Sequence, residues 1–389
     1  MTNFLMGNYS PLSVEFKEGA GPWLIDNEGD RYLDALSGIA VCGLGHSHPS
    51  LSKVIAEQSA KLIHTSNVYR ISFQEKLAEK LTALSGMDNA FFCNSGAEAN
   101  EAAIKLARLH AHNQKIYEPI IVVMQNSFHG RTMATISASG ERVQDGFKPL
   151  LGGFKHMPYN NVEALEDYVK VSENIVAIMI EPIQGEGGIV VPNDSYLNSI
   201  RNICDQNNLL MIVDEVQTGM CRTGKWFAYQ HEGVLPDVVT IAKALGNGVP
   251  IGACLAKGKA SGYFLAGSHG STFGGNPLAS RVALEVVTIL EKDGMDEYAA
   301  KLGRYFMNEL NQSLGGMKGI SDIRGKGLMV GIELENNCTN LVAKALEKKL
   351  LINVTSGNVI RLLPPLIMKE SEIDRVVSIL TEILKEHLL

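Results

Sequence analysis

Val238-Val239-Thr240-Ile241-Ala242-Lys243-Ala244-Leu245-Gly246 decides how the chain is read. Val238 to Ile241 is apolar on both faces and rich in β-branched residues, which suits a strand buried on both sides. Lys243 therefore stands just past the carboxyl end of a sheet strand, where open α/β sheets bind their ligands. A lysine held at an apolar strand end loses hydration, so its amine gives up a proton more readily and can attack a carbonyl. Standing alone, such a lysine more often simply turns out to solvent. The rest of the sequence has to decide between the two.

Alternating helical and strand patterns run from about residue 75 to 255 around this stretch. That alternation argues for a mostly parallel sheet covered on both faces. Candidate strands are Ala90 to Cys93, Ile120 to Met124, Val176 to Ile180, Leu210 to Val213, Val238 to Ile241 and Ala253 to Ala256, with helices such as Ala97 to His110 and Tyr196 to Gln206 between them. A helical pattern runs from Leu51 to Lys61. Near the start, Trp23-Leu24-Ile25-Asp26 and Arg31-Tyr32-Leu33-Asp34 flank Asn27-Glu28-Gly29-Asp30, a hairpin pattern. From Leu278 the texture changes to long amphipathic helices with short strands such as Gly327 to Glu333 and Val359 to Leu363. We expect a boundary near residue 275, with the N-terminal arm packing against the C-terminal part.

Composition excludes several classes. The chain has 389 residues, 45% hydrophobic and 20% charged, enough for two domains with a large core. Its net charge of −7 gives no electrostatic reason to expect nucleic acid or an anionic membrane as partner. No apolar run approaches the roughly 18 residues that cross a bilayer. Met1-Thr2-Asn3-Phe4-Leu5-Met6 lacks a basic segment ahead of an apolar stretch, so no secretory signal is expected. The six cysteines form no CxxC pair, and His46 and His48 have no third ligand nearby, so no metal is expected. The expectation is a soluble cytoplasmic protein.

Three further motifs bear on Lys243. Asn94-Ser95-Gly96-Ala97-Glu98 follows a strand and opens a helix, with Ser95 and Glu98 spaced as a capping box. Free amides at such a start, with Gly96 permitting close approach, bind phosphate readily. Asp214, in Val213-Asp214-Glu215-Val216-Gln217-Thr218-Gly219, ends an apolar run, and a buried aspartate needs a cation such as a protonated pyridine nitrogen. In Ser127-Phe128-His129-Gly130-Arg131-Thr132, an aromatic ring can stack on a planar cofactor and Arg131 can bind a carboxylate bidentately. Each motif has an ordinary reading as a cap, a surface acid or a loop. Jointly they supply a phosphate cradle, a ring platform, a pyridinium partner and a carbonyl-reactive lysine, which are the parts that pyridoxal 5′-phosphate (PLP) needs.

At this point the chain resembles the class III PLP-dependent aminotransferases over nearly its whole length. The resemblance rests on Ser37-Gly38-Ile39-Ala40-Val41 with Gly45-His46, on the motifs above, and on Glu181-Pro182-Ile183-Gln184-Gly185-Glu186-Gly187-Gly188 and Ser271-Thr272-Phe273-Gly274-Gly275-Asn276-Pro277, all in the family's order. It implies an α/β protein of PLP-dependent transferase fold type I: a large, mostly parallel sheet domain with helices on both faces, plus a smaller α+β domain from both chain ends. The expected divisions are an arm at 1–45, a PLP-binding domain at 46–275 and a C-terminal domain at 276–389.

The resemblance also implies roles. Lys243 would hold PLP covalently, one cofactor per subunit, and later move protons. Ser95, Gly96 and Ala97 would hold its phosphate and Phe128 would lie against its ring. Asp214 would pair with the ring nitrogen and Gln217 with the ring hydroxyl, with Glu215 and Val216 of the same motif beside them. Thr272 would reach the phosphate from the partner of a homodimer with shared sites, and Ser271 beside it would line the substrate site. Arg131 and Arg361 would bind carboxylates of an ω-amino donor and of 2-oxoglutarate or glutamate. Glu186 would neutralise Arg361, with its flanking glycines letting it swing away. The chain departs from the family at Ala97, where relatives often carry Thr or Ser, and at Met220-Cys221, which replaces the usual Leu-Gly.

Overall fold

A computed structural model describes residues 4–388; Met1–Asn3 of the expected arm, and Leu389, lie outside the described residues. Seven strands form the central sheet, in the spatial order Asn89–Cys93, Gly252–Ala256, Val238–Ile241, Leu210–Asp214, Ile175–Ile180, Ile120–Met124 and Phe154–Met157. Gly252–Ala256 runs antiparallel to both neighbours and the remaining pairs are parallel.

The inner strands carry side chains that are buried on both faces, so each face needs a cover. Val123, Met179, Leu210, Ile212 and Val238 point to one side, where Ala102, Ala103, Leu106 and Ala107 of the helix Gly96–Asn113 meet them. Val122, Ile178, Met211, Val213 and Val239 point to the other, against Leu197, Ile200 and Ile203 of the helix Tyr196–Gln206. Alternation along each strand thus divides the apolar residues into two cores.

Two smaller sheets complete the fold. Phe16–Ala20, Trp23–Asp26 and Arg31–Asp34 form an antiparallel meander, to which Leu350–Leu351 adds in parallel, so the two ends of the chain share one sheet. Ile320–Lys326, Met329–Leu334, Val359–Leu362 and Asn353–Thr355 form the third, which is antiparallel throughout.

Several bounds differ from expectation. The first long helix runs Pro49–Ser59, because Pro49 is well placed in a first helical turn. Gly327 lies in a left-handed turn at φ +57, ahead of the strand that begins at Met329. The edge strand Phe154–Met157 was not anticipated, since its Phe-Lys-His-Met sequence is only half apolar.

Candidate active site

The carboxyl ends of five parallel strands open on one side of the sheet, and the chain places a chemically useful residue at each. Ser95 follows Cys93, Phe128 follows Met124, Glu181 follows Ile180, Asp214 ends its strand and Lys243 follows Ile241. These residues surround a cavity of about 390 Å3. Gly96, Ala97, Arg131, Val216 and Gln217 line the same space, so nine of the residues singled out in the sequence converge there.

Lys243 is strained and electrostatically perturbed. Its φ is 45°, in the left-handed region that a side-chained residue adopts at a cost of about 1–2 kcal/mol. Burial, then the nearby Arg361, lowers its amine below the ordinary lysine value, although Glu186, Asp214 and Glu181 pull the other way. The net direction favours a neutral, nucleophilic amine.

Asp214 is held on three sides. Its Oδ2 lies 2.7 Å from Asn100 Nδ2 and 2.8 Å from His129 Nδ1, while Oδ1 accepts from Val216 N at 3.0 Å. Thr240 Oγ1 donates to Asn100 Oδ1 at 2.7 Å, so Asn100 is itself fixed. His129 is fully buried; desolvation opposes its protonation, but the bond and charge of Asp214 outweigh this and raise its pKa.

The helix start differs in detail from the expected capping box. Ser95 Oγ accepts from Glu98 N at 3.2 Å as a cap does, but the Glu98 carboxylate accepts from Asn94 N at 2.6 Å. That leaves the amides of Gly96 and Ala97 at the head of the helix with no preceding turn to bond to. Gly130, at φ +138, is packed so closely here that a Cβ on it would stand 2.8 Å from Ala97 Cβ. The same crowding accounts for a small residue at position 97. At the other departure, Met220 and Cys221 are both left-handed, at φ 57° and 70°, so Cys221 carries a strain that glycine would not.

Val41 reaches the cavity through an unusual turn. Ser37, Gly38, Ile39 and Ala40 have φ of 49°, 65°, 65° and 61°, one left-handed turn in succession. Asp34 Oδ1 secures it by accepting from Leu36 N and Ser37 N, and Ser37 Oγ donates to Leu363 O at 2.7 Å.

Arg361 and Glu186 form an ion pair beside the cavity. Arg361 Nη1 lies 2.5 Å from Glu186 Oε1 and Nη2 donates to Asn353 Oδ1 at 2.8 Å. The arginine is 1% exposed, and its Nε has no partner among the described residues. Phe128 lines both the main cavity and a second one of about 230 Å3, on whose wall Glu186 sits. The expected mobility of the Gly185–Gly188 loop is not what the structure shows. The Glu186 carbonyl accepts from Thr355 Oγ1 at 2.6 Å, and Arg324 holds the Gly188 and Ile189 carbonyls at 2.7 and 2.8 Å. The backbone is pinned on both sides, and freedom is left to the Glu186 side chain.

Five expected site residues do not line the cavity: Arg361 and Glu186 stand beside it, and Glu215, Ser271 and Thr272 lie apart from it, the last being a residue expected to serve the partner's site. Glu215 turns away from the cavity: Thr218 Oγ1 and Tyr229 N donate to its carboxylate at 2.5 and 3.0 Å, which makes it a strut inside the fold. Ser271 Oγ accepts from Gly274 N at 3.0 Å and from Asn94 Nδ2 at 3.2 Å, bracing its own loop. Thr272 is exposed and lines a separate surface hollow with Ser66, Asn67 and Val68.

Sequence reasoning missed the roles of Asn100, His129 and Glu181. Glu181 accepts from Phe128 N at 3.0 Å and from Gly185 N at 3.1 Å, tying the ring platform to the loop of Glu186. An acid directly after the apolar run Ile175–Ile180 is the same signal that picked out Asp214, and applied there it finds Glu181.

The site fits PLP on its own geometry. Gln217, on the cavity wall, has a buried Oε1 with no partner among the described residues, and the cavity's other polar groups suit the remaining parts of that cofactor. Gly96 has no room for a Cβ, which would stand 2.7 Å from Val216 Cγ1, so Val216 packs directly on the backbone at the head of this helix.

The Aminotransferase class-III family model matches residues 5–384. The chain is 55% identical over 375 residues to the acetylornithine aminotransferase of Nitrosomonas europaea, covering 96% of this chain and 95% of that protein. It is 48% identical over 380 residues to that of Methanocaldococcus jannaschii, covering 97% and 95%. Among solved structures it is similar to ornithine aminotransferase from Toxoplasma gondii ME49, with a TM-score of 0.95, 33% identity and coverage of 99% and 94%. It is also similar to acetylornithine aminotransferase from Elizabethkingia anophelis, with a TM-score of 0.89, 39% identity and coverage of 98% and 96%. A further structure of the Toxoplasma enzyme is described with PLP at partial occupancy in its active site.

Proposed function

The chain belongs to the class-III aminotransferases, and we propose that it moves the side-chain amino group of N2-acetyl-L-ornithine to 2-oxoglutarate. The products are N-acetyl-L-glutamate 5-semialdehyde and L-glutamate, a step of arginine biosynthesis. As a member of this family the protein is a PLP-dependent enzyme of fold type I. The observation that carries the two-substrate reading is the buried Arg361 paired with Glu186 close to Lys243. The choice of donor is supported by the activity named for its relatives at 45–55% identity.

When bound, PLP supplies the carbonyl that takes the amino group and a ring that accepts the electron pair released at carbon. The chain's own groups do the rest. The amides of Gly96 and Ala97, with Ser95, would hold the phosphate at a positive helix end. Phe128 would lie against the ring, Gln217 would meet its hydroxyl and Asp214 would keep its nitrogen protonated. Lys243 would carry the cofactor, then as a free amine take a proton from the substrate carbon that bears the nitrogen and return it at the cofactor's carbonyl carbon. Arg131, its guanidinium 5.5 Å above the Phe128 ring, would hold the distant carboxylate of either substrate. Arg361 would hold the near carboxylate, which only glutamate has, and Glu186 would neutralise Arg361 when the donor is present.

Two subunits would share each site, with Thr272 reaching the partner's phosphate. In support, Val68 lines the Thr272 hollow, and Leu62, Ile63, Tyr69 and Phe273, from the same two stretches of chain, are exposed as well, apolar surface suited to a second copy. The proposed division is 1–45, 46–275 and 276–389. A cytoplasmic location fits the substrates, and among the described residues no helix is long and apolar enough to cross a membrane. The alternative donor is ornithine, which the likeness to ornithine aminotransferases favours. Steady-state kinetics separate them: N-acetylornithine should exceed ornithine in kcat/KM by at least about tenfold, the size of effect a dedicated subsite gives. Equal or reversed values would favour ornithine.

A further inference from the structure

Glu186 touches two arginines. Its Oε1 is paired with the buried Arg361, and its Oε2 lies 3.7 Å from Nη2 of Arg142, an exposed side chain on the short turn Glu141–Val143. Arg142 Nη2 also reaches the Glu186 carbonyl at 3.4 Å. Arg142 and Glu186 line the 230 Å3 cavity together, so there is free room between them. The Glu186 carboxyl stays below the usual range although burial opposes its charge, because Arg361, Lys243 and Arg142 all stabilise it.

A carboxylate that leaves Arg361 inside a part-dry pocket needs somewhere to go, since an unpaired charge there is costly. The pinned carbonyl of Glu186 and the bonded loop on either side oppose withdrawal of the backbone. Rotation about the side-chain bonds is the smaller movement, and it can trade the Arg361 contact for a closer one to Arg142, already 3.7 Å from Oε2. We propose that Arg142 is the second seat of Glu186, a positioning residue that receives the carboxylate when glutamate or 2-oxoglutarate occupies Arg361. The inference rests on the reading of Arg361 as the near-carboxylate site. It adds that the exchange is a transfer of one acid between two arginines, one dry and one wet. Arg142 thereby sets the ratio between the affinities for donor and dicarboxylate without touching either substrate.

The test uses PLP-loaded enzyme with Arg142→Gln, Arg142→Lys, Glu186→Gln and the double variant Arg142→Gln/Glu186→Gln. Single-turnover measurements give the apparent Kd and rate of each half-reaction, and calorimetry gives the Kd of glutarate, a non-reacting dicarboxylate. Arg142→Gln should weaken glutamate and glutarate by about 2- to 5-fold, the scale of an exposed ion pair, and leave N-acetylornithine unchanged. Arg142→Lys should restore most of the loss. Added salt should bring the wild type toward Arg142→Gln, because the outer seat is exposed. With Glu186→Gln in place, Arg142→Gln should have no further effect. Equal changes in both halves, or none while Glu186→Gln still separates them, would overturn the role of Arg142 alone. If Glu186→Gln itself fails to separate the halves, the Arg361 reading falls, and the second seat with it.

Discussion

His129 Nδ1 lies 2.8 Å from Asp214 Oδ2, and neither side chain is open to water: their side-chain exposures are 0% and 3%. The histidine therefore acts as a fixed donor that aims Asp214 into the cavity, with Asn100 completing the clamp. Its other nitrogen has no partner among the described residues, so Asp214 takes the imidazole's hydrogen bond, while the His129 backbone N donates to Ser139 Oγ at 2.8 Å.

His129→Leu should keep the volume and remove the donor. Leaving a buried acceptor short of one partner costs about 1–3 kcal/mol. The loss should depend on pH in a set direction. The folded state raises the pKa of His129, so its stabilisation is fully present below the unfolded value of about 6.5 and fades as pH rises through the folded value. Denaturant unfolding of the apoenzyme should accordingly show a larger gap between wild type and variant at pH 6 than at pH 9. A gap that is constant or grows with pH would exclude the charge-assisted bond.

Gly96→Ala tests the phosphate cradle without altering any polar group. A Cβ there would stand 2.7 and 2.9 Å from the two methyl carbons of Val216, which must then move into the cavity. We expect the dissociation constant of PLP, measured by equilibrium dialysis, to rise by about tenfold or more, equivalent to ~1.4 kcal/mol. Thermal stability of the apoenzyme should change little. Unaltered PLP affinity would place the phosphate elsewhere.

Most of this site was legible because strands buried on both faces announce themselves, and whatever follows them lands on one edge of the sheet. Val238–Ile241 and Ile120–Met124 match their expected bounds for that reason, and Lys243 and Phe128 were located with them. The edge strand Phe154–Met157 escaped because only Met157 of its four residues is buried, so no run of apolar residues marks it. Glu215 was misassigned because its neighbour Asp214 is the residue that faces the cavity, and adjacent residues at a strand end point opposite ways. The pinning of Glu186 could not be read at all. Its restraints come from Thr355 and Arg324, far along the chain, and glycine on both sides suggested the opposite.

Glu215 gives a second pH dependence of defined sign. Burial pushes its carboxyl up to about 7, against the donors Thr218 and Tyr229. A carboxyl raised in the folded state contributes stability that is complete below the unfolded value of about 4.5 and is lost as pH climbs through 7. Glu215→Gln removes that dependence, and its amide can still accept from Tyr229 N. Between pH 4.5 and 8 the unfolding free energy of the wild type should fall by about 3 kcal/mol relative to the variant. Parallel pH profiles would show that Glu215 does not titrate in this range.

The central claim is that Lys243 in this cavity runs both halves of a transamination, and one spectroscopic cycle tests it directly. N-acetylornithine added to PLP-loaded enzyme should abolish the long-wavelength absorbance of the bound cofactor, and 2-oxoglutarate added afterwards should restore it. Lys243→Ala should remain folded and bind PLP, yet complete neither half at a measurable rate. If Lys243→Ala completes the cycle at a rate near the wild type, or if the wild type loses its absorbance with the donor and 2-oxoglutarate fails to restore it, the account is contradicted.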